Sequence, residues 1–261
     1  MVKIAVCFFG ITRSLTYTVA SIERNILTPA RSLGTVECFG HFYKQSTISN
    51  KRSKEHGALR QDEHRLLAFE DLILENPLQS FDALAYEDMK SFGDFWKDDF
   101  QSVRNLIQQL HSLEAVTNLA MARSPDFFVF ARPDLRYHDS LKAPLRRITG
   151  SEGKVALIPS WQHWLGGLND RFAVCTAAAA PAYGFRGRKA ADFCRRHNHP
   201  LHSELLLKDA LQREDVTVHL IPQRASRIRF NGFRRKEDFI GVDTKGMRKL
   251  RRAWNKVMAL K

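Results

Sequence analysis

Pro125-Asp126-Phe127-Phe128-Val129-Phe130-Ala131-Arg132-Pro133-Asp134-Leu135-Arg136-Tyr137-His138 reads as a strand followed by an abrupt exit from a sheet. Phe127 to Ala131 form an unbroken apolar run between turn-formers, the pattern of a strand buried on both faces. Pro133 cannot donate to an inner ladder and biases Arg132 toward an extended conformation, so the strand stops there. Asp134 is then displayed where the chain leaves the carboxyl end of the strand, the edge at which open α/β sheets bind ligands. Two readings of Asp134 stay open from position alone. It is either a ligand for a metal, a phosphate-bound metal or a sugar hydroxyl, or a loop acid that caps the next turn.

Working outward, residues 2 to 9 form a second apolar run, read as a central first strand, with Gly10-Ile11-Thr12-Arg13-Ser14 at its carboxyl end. Gly10 permits close backbone approach, and Thr12 and Arg13 offer a hydroxyl and a planar cation to an anionic ligand. Equally, this is an ordinary βα turn with a solvated arginine, since it has neither a Walker nor a dinucleotide fingerprint. Ser14 or Thr16 caps a helix that ends near Pro29, and Thr35 to Tyr43 read as the next strand. The polar composition of residues 44–60 reads as a long surface loop, and residues 61–73 and 84–91 as short helices. Over 95–122 apolar residues recur at spacings of three and four, which predicts a long helix carrying Asn105 and His111 toward the Phe127 strand.

Further on, Val155 to Ile158 and Val216 to Ile221 read as strands, and Ser203 to Gln212 as a helix with Glu204 in its first turn. Between them, Trp161-Gln162-His163-Trp164-Leu165-Gly166-Gly167-Leu168-Asn169-Asp170-Arg171 combines an apolar wall with a few polar groups, as a carbohydrate pocket requires. A tryptophan-anchored surface loop is the alternative. His197, His199 and His202 are interrupted by Pro200 and have no second ligand cluster, so they do not read as structural zinc.

At 261 residues, 44% hydrophobic and 26% charged, the chain has the composition of a folded α/β domain. No apolar run reaches the length of about 20 residues that a membrane span needs. The opening residues read as a strand rather than a leader, and Cys7, Cys38, Cys175 and Cys194 read as reduced buried thiols, which together point to a cytoplasmic protein. The formal charge of +13 is concentrated at one end: residues 221–261 hold 13 Lys or Arg and 3 acids. The final segment places Met247, Leu250, Trp254 and Met258 on one face of a basic amphipathic helix. That helix either lies on an anionic membrane surface or packs on the body with its charges in water.

Taken in order, Ala5-Val6-Cys7-Phe8-Phe9-Gly10-Ile11-Thr12-Arg13-Ser14-Leu15, Leu110-His111-Ser112-Leu113, Arg132-Pro133-Asp134-Leu135, Gly167-Leu168-Asn169-Asp170-Arg171-Phe172 and His202-Ser203-Glu204-Leu205-Leu206 resemble a glycosyltransferase-like family of GT-A, nucleotide-sugar-binding architecture. Its members occur in bacterial surface-polysaccharide gene sets and large viruses. The resemblance implies a single α/β domain over residues 1–222 with a mostly parallel sheet flanked by helices, followed by a basic extension over 223–261. It implies transfer of a sugar from a nucleoside diphosphate to a hydroxyl of a glycan or lipid-linked acceptor. Phe9, Gly10, Thr12, Arg13, His111, Arg132, Asp134 and Asn169 would bind the nucleotide sugar, and Asp170 and Glu204 would be the catalytic acids. Asp134 would also hold a divalent cation, Mn or Mg. The family commonly has two acids there, whereas Asp134-Leu135-Arg136 has one, so Arg132 or Arg136 could neutralise the diphosphate instead. The competing class is a non-enzymatic protein that binds nucleic acid or anionic membrane through its basic end.

Overall fold

The computed structural model describes residues 2–50, 52–78, 81, 85–240 and 242. Strand β1 (Lys3–Gly10) lies mid-sheet and feeds α1 (Leu15–Ile22), a π-helical turn over Glu23–Leu27 and α2 (Thr28–Arg31). The helical path therefore continues past Pro29. The π turn just before it loosens the hydrogen-bond ladder where a proline cannot donate. Next come β2 (Thr35–Tyr43), a hairpin of β3 (Thr47–Asn50) and β4 (Glu55–Ala58), β5 (Asp71–Glu75), α3 (Tyr86–Lys90) and α4 (Gln101–Met121). The second half runs β6 (Phe127–Ala131), β7 (Leu135–Tyr137), α5 (Lys142–Thr149), β8 (Val155–Pro159), β9 (Ala173–Thr176) and α6 (Ala180–Gly184). It closes with α7 (Ala190–His197), α8 (Ser203–Arg213), β10 (Thr217–Ile221) and β11 (Ala225–Arg227).

Seven strands form one sheet in the order β10-β8-β9-β6-β1-β2-β5. All its pairings are parallel except those of β9, which runs antiparallel to β6 and β8. This is the α/β class with a mostly parallel sheet that the sequence implied. One edge of the sheet therefore gathers the carboxyl ends of β1, β2, β6 and β8 and the amino end of β9.

The period of two in a strand divides β1 between two cores. Ile4, Val6 and Phe8 pack with α1 and α5 on one face, while Ala5, Cys7 and Phe9 pack with α4, α6 and α8 on the other. A third cluster joins α3, α7 and α8 to the first turns of α4 through Met89, Val103, Leu106, Phe193 and Leu206. All four cysteines are free and buried, and burial pushes the Cys38 and Cys194 thiols up to about 11.

Two segments differ from the sequence expectation, and a third resolves an open one in part. Residues 61–73 are not a helix: only Glu63–Leu66 make a helical turn, and Leu72-Ile73-Leu74 pair with β2 as an edge strand. Residues 44–60 hold the β3–β4 hairpin, seated where the Phe230 ring lies over Gly57. The described residues beyond Pro222 pack on the body. β11 adds antiparallel to β7, Phe239 meets Trp161 with ring centroids 5.0 Å apart, and Val242 is buried in the first core. The amphipathic helix expected over 247–258 lies outside the described residues. Among the described residues no helix is long and apolar enough to cross a membrane.

Phe130 shows why the β6 run is apolar: it is fully buried, with its ring 4.6 Å from Tyr183, centroid to centroid. Phe130→Ala should lower stability by about 3–5 kcal/mol. In urea unfolding the midpoint should fall while the slope stays constant.

Candidate active site

The strand edge described above opens into a cavity of about 580 Å3, lined by residues from β1, the β3–β4 hairpin, α4, the loop before β9, the start of α8 and the segment after β10. Gly10 ends β1 with φ at +104°, a conformation that L side chains rarely adopt, and this turns the chain so that Arg13 faces the cavity. Its amide N–H donates to Ser112 Oγ of α4 at 2.8 Å, which ties the turn to the helix behind it.

Asp134 is almost completely buried and accepts from two guanidiniums. Arg132 Nε donates to Oδ1 at 3.0 Å, and Arg132 Nη2 and Arg13 Nη2 donate to Oδ2 at 2.9 and 2.7 Å. Burial alone would raise this carboxyl, but the charges of Arg132 and Arg13 override it and hold it well below the usual carboxylate range. Arg13 also meets Glu55 of the hairpin at 3.3 Å, and the same Glu55 oxygen accepts from Arg229. A second acid, Glu237, accepts from Arg227 Nε at 2.9 Å and lies 3.3 Å from Arg171 Nη1.

Seven arginines line the cavity: 13, 52, 132, 171, 227, 229 and 235. Three acids, Asp134, Asp170 and Glu204, line it with them. Burial and the neighbouring Arg227 push the Arg171 guanidinium down to about 10. Burial likewise lowers Arg52, Arg229 and Arg235, with other arginines adding to the effect in each case. Cations lowered in this way by crowding gain from an incoming anion. Trp96, with Arg52 stacked 5.2 Å above its ring, and the half-exposed Trp164 supply aromatic surface at the same cavity.

The acids opposite the arginines are built by two elements. Asp170 precedes β9, and one of its carboxylate oxygens accepts from the Ser203 hydroxyl and, at 3.5 Å, from Gln109 Nε2. Gln109 Oε1 in turn accepts from Arg132 Nη1 at 2.9 Å, so a single amide links the two halves of the cavity. Burial would raise Asp170, yet the Ser203 bond and the charges of Arg186, Arg132 and Arg171 hold it below its ordinary value. Glu204 is pushed the other way, first by burial and then by the negative charge of Asp170. Its backbone carbonyl accepts from Leu168 at 2.9 Å, and the loop can cross there because residue 167 is glycine. A Cβ on Gly167 would lie 2.4 Å from the Glu204 carbonyl carbon.

Of the residues singled out from sequence, Phe9, Gly10, Arg13, Arg132, Asp134, Asp170 and Glu204 line this cavity. Three others sit elsewhere. Thr12 faces a separate hollow of about 200 Å3 beside Leu59, Arg60 and His64. Asn169 is buried and holds the loop together, donating to the Trp161 carbonyl at 2.7 Å and accepting from the Arg171 amide at 3.0 Å. His111 lies behind Tyr43 in a group with His41 and Glu75. Sequence reading passed over Arg52, Gln109, Arg227, Arg229 and Arg235. The one usable signal was the alternation of Arg227 and Arg229, which puts both side chains on one face of an extended segment.

The residues around Asp134 do not fit a divalent cation. Its neighbours within hydrogen-bonding distance are two guanidiniums, so an ion within the roughly 2.1 Å of a Mg–O bond would crowd a third cationic centre against the same carboxylate. Arg13 and Arg132 already occupy the electrostatic place such an ion would take.

Asp134→Asn leaves Arg132 without its buried counter-charge and Arg13 with Glu55 alone, and should cost about 3–5 kcal/mol. The folded state holds this carboxyl below its unfolded value, so its contribution is present above about pH 3.9 and lost as the pH falls below that. Acid titrations followed by circular dichroism should therefore show a weaker pH dependence in the variant below that point.

No family profile matches the chain, and no curated protein matches it. Among solved structures it is similar to the apo form of mouse xyloside xylosyltransferase 1, with 12% identity over 85% of each chain and a TM-score of 0.46.

Proposed function

We propose that this chain is a glycosyltransferase that moves a sugar from a nucleoside diphosphate to an acceptor hydroxyl, in the assembly of a glycan or polysaccharide. One observation carries the reading: a single cavity sets an arginine-rich wall against an acid pair whose environments drive the two carboxyls apart. The first feature suits a leaving diphosphate and the second suits proton transfer at an attacking hydroxyl. In the proposed step the acceptor oxygen bonds to the anomeric carbon. The bond from that carbon to the β-phosphate oxygen breaks, and its electron pair departs with the diphosphate among Arg13, Arg132 and their neighbours.

Asp170, held ionised, takes the acceptor proton. Glu204, held protonated near neutrality, donates a hydrogen bond within the site. The aromatic faces of Trp96 and Trp164 give the base or sugar rings an apolar surface. Three of the five described arginines of the basic end favour this reading over a nucleic-acid or membrane binder. Arg224 is bidentate to Asp139, while Arg227 and Arg229 are committed to Glu237 and Glu55 inside the body.

Thermal-shift and calorimetric titration with nucleoside diphosphates should show saturable binding to the native protein. Arg235→Ala should weaken that binding about tenfold, the loss of one charge-assisted contact of about 1.4 kcal/mol. Absence of binding by any nucleoside diphosphate overturns the proposal.

The two acids should separate in kinetics. Asp170→Asn should lower kcat by about 10²–10⁴-fold. Glu204→Gln, which mimics the protonated acid, should stay active at neutral pH. The native enzyme should lose kcat/KM as rising pH ionises Glu204, and the Gln variant should lack that alkaline decline.

A further inference from the structure

His41, Glu75 and His111 converge at a place the cavity does not use. β2 and β5 are parallel with Tyr43 opposite Glu75, so His41 and Glu75 are diagonal neighbours on one face of the sheet. α4 covers that face and delivers His111. His41 Nε2 lies 2.7 Å from Glu75 Oε2, His111 Nε2 lies 3.1 Å from the same oxygen, and the three ligand atoms fall within 4.8 Å of one another.

Both ring nitrogens of His41 have partners in the fold. The Ser112 hydroxyl accepts the Gly10 amide and donates its only proton to the His41 carbonyl at 2.8 Å. With that proton on the carbonyl, the hydroxyl accepts from His41 Nδ1, 3.0 Å away, and this Nδ1–H tautomer is the one that can bind a metal through Nε2. In that tautomer Nε2 turns its lone pair toward Glu75, where an ion can bridge the two; in the other, Nε2–H donates to Glu75 Oε2 at 2.7 Å. A histidine whose far nitrogen is fixed by a hydrogen bond is the arrangement that presents a metal ligand.

We propose that His41, Glu75 and His111 form a binding site for a zinc ion. Two imidazoles and one carboxylate are a set that zinc accepts, whereas magnesium and manganese favour oxygen ligands. Tetrahedral zinc spaces its ligand atoms about 3.3 Å apart, a small opening of the present cluster. Glu75 and His111 are about one-third exposed, which gives the ion an entry path and leaves a position for water. Once bound, the ion fastens the edge strand β5 to α4 and steadies Tyr43, whose ring stacks near His111 and lines the cavity. The site is independent of the transferase reading, because it would exist whatever the cavity binds.

The test uses the full chain, stripped with a chelator and then titrated with zinc chloride by calorimetry and thermal shift. One equivalent should bind and raise the melting temperature by several degrees, with magnesium and manganese giving no comparable shift. His111→Ala and Glu75→Gln, both at partly exposed positions, should each weaken zinc binding at least tenfold while retaining the native circular dichroism spectrum. His197→Ala, at the separate contact with Asp209, should bind as the native protein does. No saturable zinc binding by the native chain would leave a proton as the cation between His41 and Glu75 and overturn the proposal. Binding undiminished in both His111→Ala and Glu75→Gln would overturn it as well.

Discussion

A buried carboxylate held between two guanidiniums sets the terms for the rest of the molecule. Asp134 cannot stay ionised in the interior unless Arg13 and Arg132 reach it, and Arg13 reaches it only if the turn after β1 bends at Gly10. Arg13 in turn fixes Glu55 of the hairpin, and Glu55 fixes Arg229 of the segment after β10. The backbone repeats the same linkage: the Ile228 amide donates to the Asp134 carbonyl at 2.9 Å, and Ser14 Oγ donates to the Ile228 carbonyl at 3.0 Å. Such a network adds little net stability, because desolvating each charge offsets most of the attraction. Its effect is to permit one relative placement of four chain segments, and the cavity is the space they enclose.

The interior elements could be read from the sequence because their signals are local. Five apolar residues and a proline define β6 and its exit, and the three-and-four spacing of Val103, Leu106, Leu110, Leu113 and Val116 defines α4. Elements whose reason is distant were not legible. Leu72-Ile73-Leu74 become a strand because β2 offers an open edge, and the hairpin forms over Phe230, far along the chain. The site divides in the same way. Asp134, Asp170 and Glu204 sit at recognisable ends of strands and helices, whereas Arg52, Arg227, Arg229 and Arg235 meet them only through tertiary folding. Thr12 shows the limit of motif reading: Arg13 beside it lines both the main cavity and the smaller hollow, whereas Thr12 lines only the smaller one.

Within the cavity, charge is arranged by environment rather than by residue type. Asp170 and Glu204 are chemically similar acids that line the same cavity. A serine hydroxyl and nearby arginines stabilise the anion of the first, while the second meets burial and the first one's charge. Arg52, Arg171, Arg229 and Arg235 follow the same logic with opposite sign, since burial and crowding make each less content with its charge. An anion entering such a space offsets the crowded cations and, by its own charge, further favours the protonated form of Glu204.

The segment carrying Arg227 to Arg235 has a consequence for the order of events during synthesis. A ribosome delivers the seven-stranded sheet through β10 before this stretch has emerged, so the sheet can form while one wall of the chamber is still missing. Until that wall arrives, Glu55 faces Arg13 alone and the hairpin lacks the aromatic ring on which it rests. A nascent chain of this protein would therefore acquire its framework before its capacity to hold a ligand.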